Sequence, residues 1–135
     1  MTFARWVFTI GGIWGVLIIG PLFFIESVMA DATGKPFSHP DTYYGFLAST
    51  FGWQIVYLLI GRDPLRYRPL MLLGALGKFI YAGAAWTLFV QGRIVITVPM
   101  LASPDILLAI LFVVAWFKSR APRTQPAAAE AAPAV

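Results

Sequence analysis

The chain has no cysteine, a single histidine and few charged residues. The absence of cysteine excludes disulfide bonds, thiolate metal sites and cysteine nucleophiles. The histidine, His39, lies in a polar segment, so a haem cannot be held between two histidines of one chain. We therefore expect no metal ion and no cofactor.

The shortage of charge accompanies an excess of apolar residues. Charged residues make up 12% of the chain and hydrophobic residues 59%, whereas soluble domains are roughly 25% charged. A soluble protein of this length leaves about a third of its extended-chain surface exposed, and so much apolar surface cannot be hidden from water. We therefore expect the lipid bilayer to be a partner of this chain.

The formal net charge of +4 does not indicate a nucleic-acid partner. A nucleic-acid surface gathers basic side chains into a patch with interleaved aromatic residues. Here the basic residues, with the exception of Lys78, stand at the ends of apolar runs. The sequence therefore predicts no nucleic-acid binding.

Four apolar stretches are long enough to cross a bilayer, which takes about 20 mostly apolar residues. They cover residues 6–25, 43–61, 70–91 and 100–117. The first connection, "ESVMADATGKPFSHPDT", reads as a polar loop, and "RDPLRYRP" as a short turn. The third connection, around "GRIVITVP", is apolar and reads as extended chain at the membrane surface. The predicted fold is an all-α membrane protein, a four-transmembrane-helix up-down bundle over residues 1–118.

The chain ends in an Ala- and Pro-rich segment, residues 119–135, which we expect to be a disordered tail. Cytoplasmic loops of membrane proteins carry an excess of Lys and Arg. With the N- and C-termini in the cytoplasm, the inner side holds seven of these residues and the outer side only Lys35 and Arg93. The seven are Arg5, Arg62, Arg66, Arg68, Lys118, Arg120 and Arg123.

The N-terminal span has an alternative interpretation as a cleavable signal peptide. A basic start, an apolar run and "SVMA" before Asp31 imitate a cleavage site after Ala30. However, the apolar run has about 20 residues rather than the 7–15 of a signal peptide. Glu26 also falls where a signal peptide is neutral. We therefore expect the first span to be retained.

The third span contains a lysine, Lys78, in the stretch "LLGALGKFIYAG". A lysine at the centre of a helix costs about 2.5–3.5 kcal/mol on insertion, and the nine Leu, Ile, Phe and Val residues of this span offset about 3–5 kcal/mol. The span can therefore insert into a membrane with Lys78 in place, but this balance gives no reason for a lysine at that position. One interpretation is that the side chain extends toward the membrane surface while its stem stays in lipid. The other is that Lys78 belongs to a functional site.

Depth along the helices predicts the neighbours of such a site. Counted from the turn between the second and third spans, Gln54 and Trp53 lie level with Lys78, and Trp14 of the first span reaches the same depth. We predict that the ammonium bonds Gln54 and lies over one of the two indole rings. No acidic residue shares this depth by the same count, so a ligand's anionic group or the backbone would complete the site.

A helical wheel places Lys78 on a face of small and polar residues. Gly74, Lys78, Tyr81 and Ala85 fall within about 60° of one another, which is typical of a face turned toward other helices. The predicted ligand-binding residues are Lys78, Gln54, Trp14, Trp53 and Tyr81. The predicted helix-packing residues are Gly11, Gly15, Gly74 and Gly77, and the spacing of Gly11 and Gly15 serves either packing within the chain or dimerisation.

The remaining acidic residues have structural interpretations. Asp105 follows Ser103 at the predicted start of the fourth span, where Ser103 caps the helix and Asp105 complements its dipole. Asp63 is expected to pair with Arg66 or to cap the turn. Glu26 is a candidate for a cluster with Asp105 and Arg93 on the outer face.

From Tyr44 onward, above all in "LLIGRDPLRYRPLMLLGALGKFIYAG", the chain resembles small four-span bacterial inner-membrane proteins of the DoxX-like kind. The likeness covers about half of the chain. It implies a multi-pass protein of the bacterial cytoplasmic (inner) membrane, and some members have been linked to quinone or redox chemistry. No functional residue is carried over by position.

Two functions remain as hypotheses. The first is a noncatalytic membrane component that associates with itself, as a homo-oligomer, or with a larger membrane complex. The second is a binder or carrier of a small amphipathic anionic or quinone-like molecule at Lys78. An enzyme is less favoured, because the spans lack paired carboxylates, a mid-membrane histidine and an activated nucleophile.

Overall fold

The computed structural model describes residues 2–33 and 39–119. Within these residues the chain is helical, with five helices and no strands. The helices are α1 (Thr2–Leu22), α2 (Glu26–Thr33), α3 (Pro40–Arg62), α4 (Arg68–Val90) and α5 (Thr97–Lys118). All except α2 are long and apolar enough to cross a membrane. The predicted helical class is therefore confirmed, and each of the four predicted spans corresponds to a helix long and apolar enough to cross a membrane. Residues 120–135 of the predicted tail lie outside the described residues.

Each long helix begins before the apolar stretch that predicted it, because hydrogen bonding continues through polar residues that hydropathy counts against a span. Two of these starts carry a proline in the first turn, Pro40 in α3 and Pro69 in α4. Proline is tolerated there because the first amides of a helix have no partner within the helix. The early start of α5 at Thr97 moves Asp105 inside the helix.

Two of the three connections differ from prediction. The first is not only loop, since it contains α2, whose first turn carries Glu26 and is thereby stabilised by the helix dipole. The third is a compact turn rather than extended chain. Gly92 has φ 70° there, and two backbone bonds close the end of α4, from Gly92 to the Phe89 carbonyl at 2.8 Å and from Arg93 to the Leu88 carbonyl at 3.0 Å. This pattern is a Schellman motif.

The long helices alternate in direction along the chain. The end of α1 meets the start of α3, where the Tyr43 hydroxyl donates to the Leu22 carbonyl at 2.8 Å. The start of α4 meets the end of α5, where Arg68 Nε donates to the Trp116 carbonyl at 3.1 Å. The α1–α3 and α4–α5 pairs make the most extensive contacts, and the contacts of α1 with α5 and of α3 with α4 are fewer. The bundle therefore consists of two tight antiparallel pairs joined side by side.

The hydrophobic core lies in one half of the bundle. Its centre is a ring cluster in which Phe8 stacks on Phe112 at 4.1 Å and Tyr57 meets Phe112 at 4.9 Å between ring centroids. The other buried members are Ala4, Ile60, Met71, Ala75, Ala109 and Ala115. All of them belong to the helix halves nearest the 63–67 turn. At this same end Lys118 lies over Phe3, 4.5 Å from its ring centroid, so the described chain ends are adjacent.

Candidate functional site

The candidate site is an ion pair between the middle of α4 and the first half of α5. Lys78 Nζ lies 2.5 Å from Asp105 Oδ1, and the two side chains are 12% and 27% exposed. Lys78 stands halfway along α4, and Asp105 lies about two turns after the start of α5. The prediction that no acidic residue shares the depth of Lys78 is therefore wrong.

The error has a clear cause in the geometry of α5. Ser103 was expected to cap the helix, but α5 begins six residues earlier and includes Pro104. The Ser103 hydroxyl donates to the Pro99 carbonyl at 2.8 Å, one turn back within the helix, and accepts a bond from Trp86 Nε1 at 3.3 Å. Asp105 is consequently a side chain of the helix interior and not of its cap.

One aromatic ring lies beside the ion pair on the side of the core. The Lys78 ammonium lies 5.6 Å from the centroid of the Tyr57 ring, and Tyr57 is only 4% exposed. Tyr81, nearly one turn beyond Lys78, packs near Phe46 with ring centroids 5.8 Å apart. The lysine thus has an acid on one side and an aromatic face on another, an arrangement that attracts a cation in a water-poor setting.

Gln54 is not a partner of Lys78. Its side-chain amide is buried and donates from Nε2 to the Thr50 carbonyl at 2.9 Å. The same side chain packs on Gly15, where an added Cβ would collide with Gln54 Oε1. Gln54 therefore serves the contact between α1 and α3, and the predicted bond to Lys78 is wrong.

The two predicted tryptophans also lie elsewhere. Trp53 packs against the core, its ring centroid 6.0 Å from that of Tyr57. Trp14 is 60% exposed and lines a groove between α1 and α5. Neither indole covers the Lys78 ammonium, because equal depth does not place two side chains on facing sides of their helices. Tyr57 takes the position predicted for an indole. A count of depth along the helices does not show whether a tyrosine or a tryptophan faces Lys78.

The predicted packing glycines fall into different settings. At Gly74 an added Cβ would lie 2.9 Å from the Tyr57 ring, so this glycine permits α4 to approach α3. At Gly11 an added Cβ would make ordinary contact with Leu108 at 3.8 Å, whereas at Gly77 it would meet no described atom within 4 Å. Gly77 therefore faces outward. Gly61, which the sequence did not single out, lies against the backbone of Thr9.

Two further acidic residues, Asp63 and Glu26, each accept an exposed hydrogen bond. The Asp63 carboxylate accepts a bond from the Arg66 backbone amide at 3.2 Å, which is the expected cap of the turn. The Tyr44 hydroxyl donates to Glu26 Oε2 at 2.9 Å. The suggested cluster of Glu26 with Asp105 and Arg93 is wrong, because Asp105 is bound to Lys78.

No group of three His, Cys, Asp or Glu side chains that could hold a metal ion occurs within residues 2–33 and 39–119. The chain matches no protein-family model, no curated protein and no solved structure. The resemblance to DoxX-like proteins accordingly stays a prediction.

Proposed function

We propose that this protein is a noncatalytic component of a membrane that works by lateral association of its helices. The observation that carries the proposal is an exposed small-residue face on α3, formed by Gly45, Ala48 and Gly52, which we name the α3 outer face. An added Cβ at Gly45 or Gly52 would meet no described atom within 4 Å. Ala48 and Gly52 stand four residues apart, the spacing that lets two membrane helices pack closely.

The contrast with other glycines supports this assignment. Gly15 and Gly61 each permit a close contact between α1 and α3, so packing within the chain accounts for them. Packing within the chain does not account for Gly45 and Gly52, which share one face of α3, and a glycine in a helix interior costs about 1 kcal/mol relative to alanine. Gly77 and Gly83 of α4 are also open, but they lie about 120° apart around their helix and form no common face. A second copy of the chain is the proposed partner, because one face that matches itself forms a two-fold symmetric contact.

We also infer that the protein is a multi-pass protein of the bacterial cytoplasmic (inner) membrane, with the start of α1 and the end of α5 both on the cytoplasmic side. The excess of basic residues supports this orientation. Arg62 and Arg68 flank the 63–67 turn, which contains Arg66, and Lys118 ends α5 at the same end of the bundle.

Disulfide cross-linking tests the proposed association directly, because the natural chain has no cysteine. A single cysteine in Ala48→Cys should form a cross-linked dimer when native membranes are oxidised. Leu107→Cys is the matched control, since Leu107 is 60% exposed on α5, and it should stay monomeric. Equal cross-linking at both positions, or none at Ala48→Cys, would contradict the proposal.

A second candidate function is the binding of a small anionic amphiphile, and the partial exposure of the ion pair favours it. Asp105 is 27% exposed and Tyr81 is 40% exposed, so an anionic amphiphile could exchange with Asp105 on the lysine. The site would then comprise Lys78, Asp105, Tyr57 and Tyr81. Asp105→Asn should strengthen binding of a fluorescent fatty-acid anion, and Lys78→Leu should abolish it. Equal binding by both variants would exclude this site.

A further inference from the structure

A groove on the outside of the bundle lies between α1 and α5. Its volume is about 260 Å³, and its lining is apolar, with Phe3, Trp6 and Trp14 on α1 and Leu108 and Leu111 on α5. The two indoles are 64% and 60% exposed. Gly11 forms part of the lining and leaves the groove open, because it has no side chain to fill the space in front of Leu108.

The length of the groove corresponds to one leaflet of a bilayer. It runs along α1 from Phe3 to Trp14, a rise of about 17 Å at 1.5 Å per residue. Half of a hydrocarbon core is about 15 Å. One end of the groove therefore lies at the membrane surface and the other near the bilayer centre, as an acyl chain of one leaflet does.

The surface end of the groove carries a positive charge. Lys118 is exposed. Its ammonium lies 4.5 Å from the centroid of Phe3, the last lining residue at this end. The one salt bridge among the described residues joins Lys78 to Asp105, so no described acidic side chain neutralises Lys118. Basic residues at this depth attract anionic head groups.

We propose that the groove binds one anionic phospholipid, with an acyl chain between α1 and α5 and the phosphate at Lys118. Trp6 lies at the level of the glycerol backbone, where an indole presents an apolar ring and a hydrogen-bond donor together. Trp14 closes the deep end of the groove. The proposal is independent of the α3 outer face, which belongs to a different helix.

Native mass spectrometry of the full chain tests this binding. The protein would be released from detergent micelles that contain equal amounts of dioleoylphosphatidylglycerol and dioleoylphosphatidylcholine. The parent should retain one phosphatidylglycerol in preference to phosphatidylcholine. Lys118→Gln should lower that preference about fivefold, the effect of one basic residue near an anionic surface. Arg93→Gln, at the opposite end of the bundle, should leave it unchanged.

A second variant separates the groove from the charge. Gly11→Leu fills the groove and should remove retention of both lipids, while Gly83→Leu, at a position open on the surface of α4, should retain them as the parent does. Equal retention of the two lipids by the parent, or an unchanged preference in Lys118→Gln, would overturn the proposal. Because Lys118 lies outside the core, its charge test remains valid if Gly11→Leu does not fold.

Discussion

Removal of the ion pair in two steps should show that Lys78 and Asp105 stabilise the protein as a unit. The perturbation consists of Lys78→Leu, Asp105→Leu and the double variant. Each single change leaves one charged group in the bundle without its partner. The double change replaces the pair with two apolar side chains between α4 and α5.

The magnitude follows from the geometry of the pair. At the observed 2.5 Å the attraction is about 7 kcal/mol for an effective dielectric constant of about 20. Desolvation offsets much of this attraction, at several kcal/mol for each ion. Loss of one partner from a fully buried pair destabilises by about 3–5 kcal/mol. Because the two side chains are 12% and 27% exposed, we expect a smaller loss of about 2 kcal/mol for each single variant.

The double variant should be less destabilised than the sum of the singles. Replacing a buried ion pair with apolar residues is often neutral, so we expect a loss of about 1 kcal/mol. The coupling energy is then about 3 kcal/mol, at the upper end for residues in contact. The assay is unfolding by sodium dodecyl sulfate in mixed micelles, followed by far-ultraviolet circular dichroism.

A matched cycle on Trp86 and Ser103 controls for general effects at the same helix interface. Their hydrogen bond is 3.3 Å long and exposed, so its coupling should stay under about 1 kcal/mol. If the loss of stability in the double variant equals the sum of the losses for Lys78→Leu and Asp105→Leu within about 0.5 kcal/mol, the two residues are not coupled and the reasoning fails.

Three further outcomes are expected. Gly61→Ala should destabilise the folded protein by about 1–3 kcal/mol, because the new Cβ would lie 3.0 Å from the Thr9 amide nitrogen. In the same unfolding assay Gly83→Ala should be neutral or stabilising, because an added Cβ at Gly83 would meet no described atom within 4 Å. Phe112→Ala should lower the free energy of unfolding by about 3–5 kcal/mol, because the Phe112 ring is fully buried. Phe117→Ala, at a residue that is 54% exposed, should change that free energy little. Equal losses in the two variants would contradict the assigned core. A C-terminal alkaline phosphatase fusion should be inactive and a fluorescent-protein fusion bright, and the reverse would invert the proposed orientation.

The spans were predictable because their signal is local. Four apolar runs of sufficient length give four helices long and apolar enough to cross a membrane, and "RDPLRYRP" gives a short turn capped by Asp63. Hydropathy does not report where backbone hydrogen bonding stops. It therefore missed the early start of α5 and the Gly92 turn after α4, although "QGR" contains the glycine that this motif requires.

The candidate site was predictable in its main residue but not in its partners. Lys78 is conspicuous because a charge in an apolar run is costly. Asp105 was assigned to a helix cap, since "SPD" resembles the start of a helix. An estimate of depth depends on the helix ends, and a shift of a few residues at Thr97 brings Asp105 within reach of Lys78. Which helix faces meet is set by packing between distant segments, as at Tyr57, and depth alone does not specify it.

The association of two copies through the α3 outer face is the central claim, and dilution in a bilayer tests it most directly. The full chain, labelled with donor or acceptor dye at an appended C-terminal cysteine, would be reconstituted at increasing lipid-to-protein ratios. Energy transfer in the parent should persist on dilution beyond the level of random proximity. Gly52→Leu should weaken association at least tenfold, a loss of about 1.4 kcal/mol, and Gly83→Leu should leave it unchanged. Random-proximity transfer in the parent, or equal association in Gly52→Leu and the parent, would contradict the account.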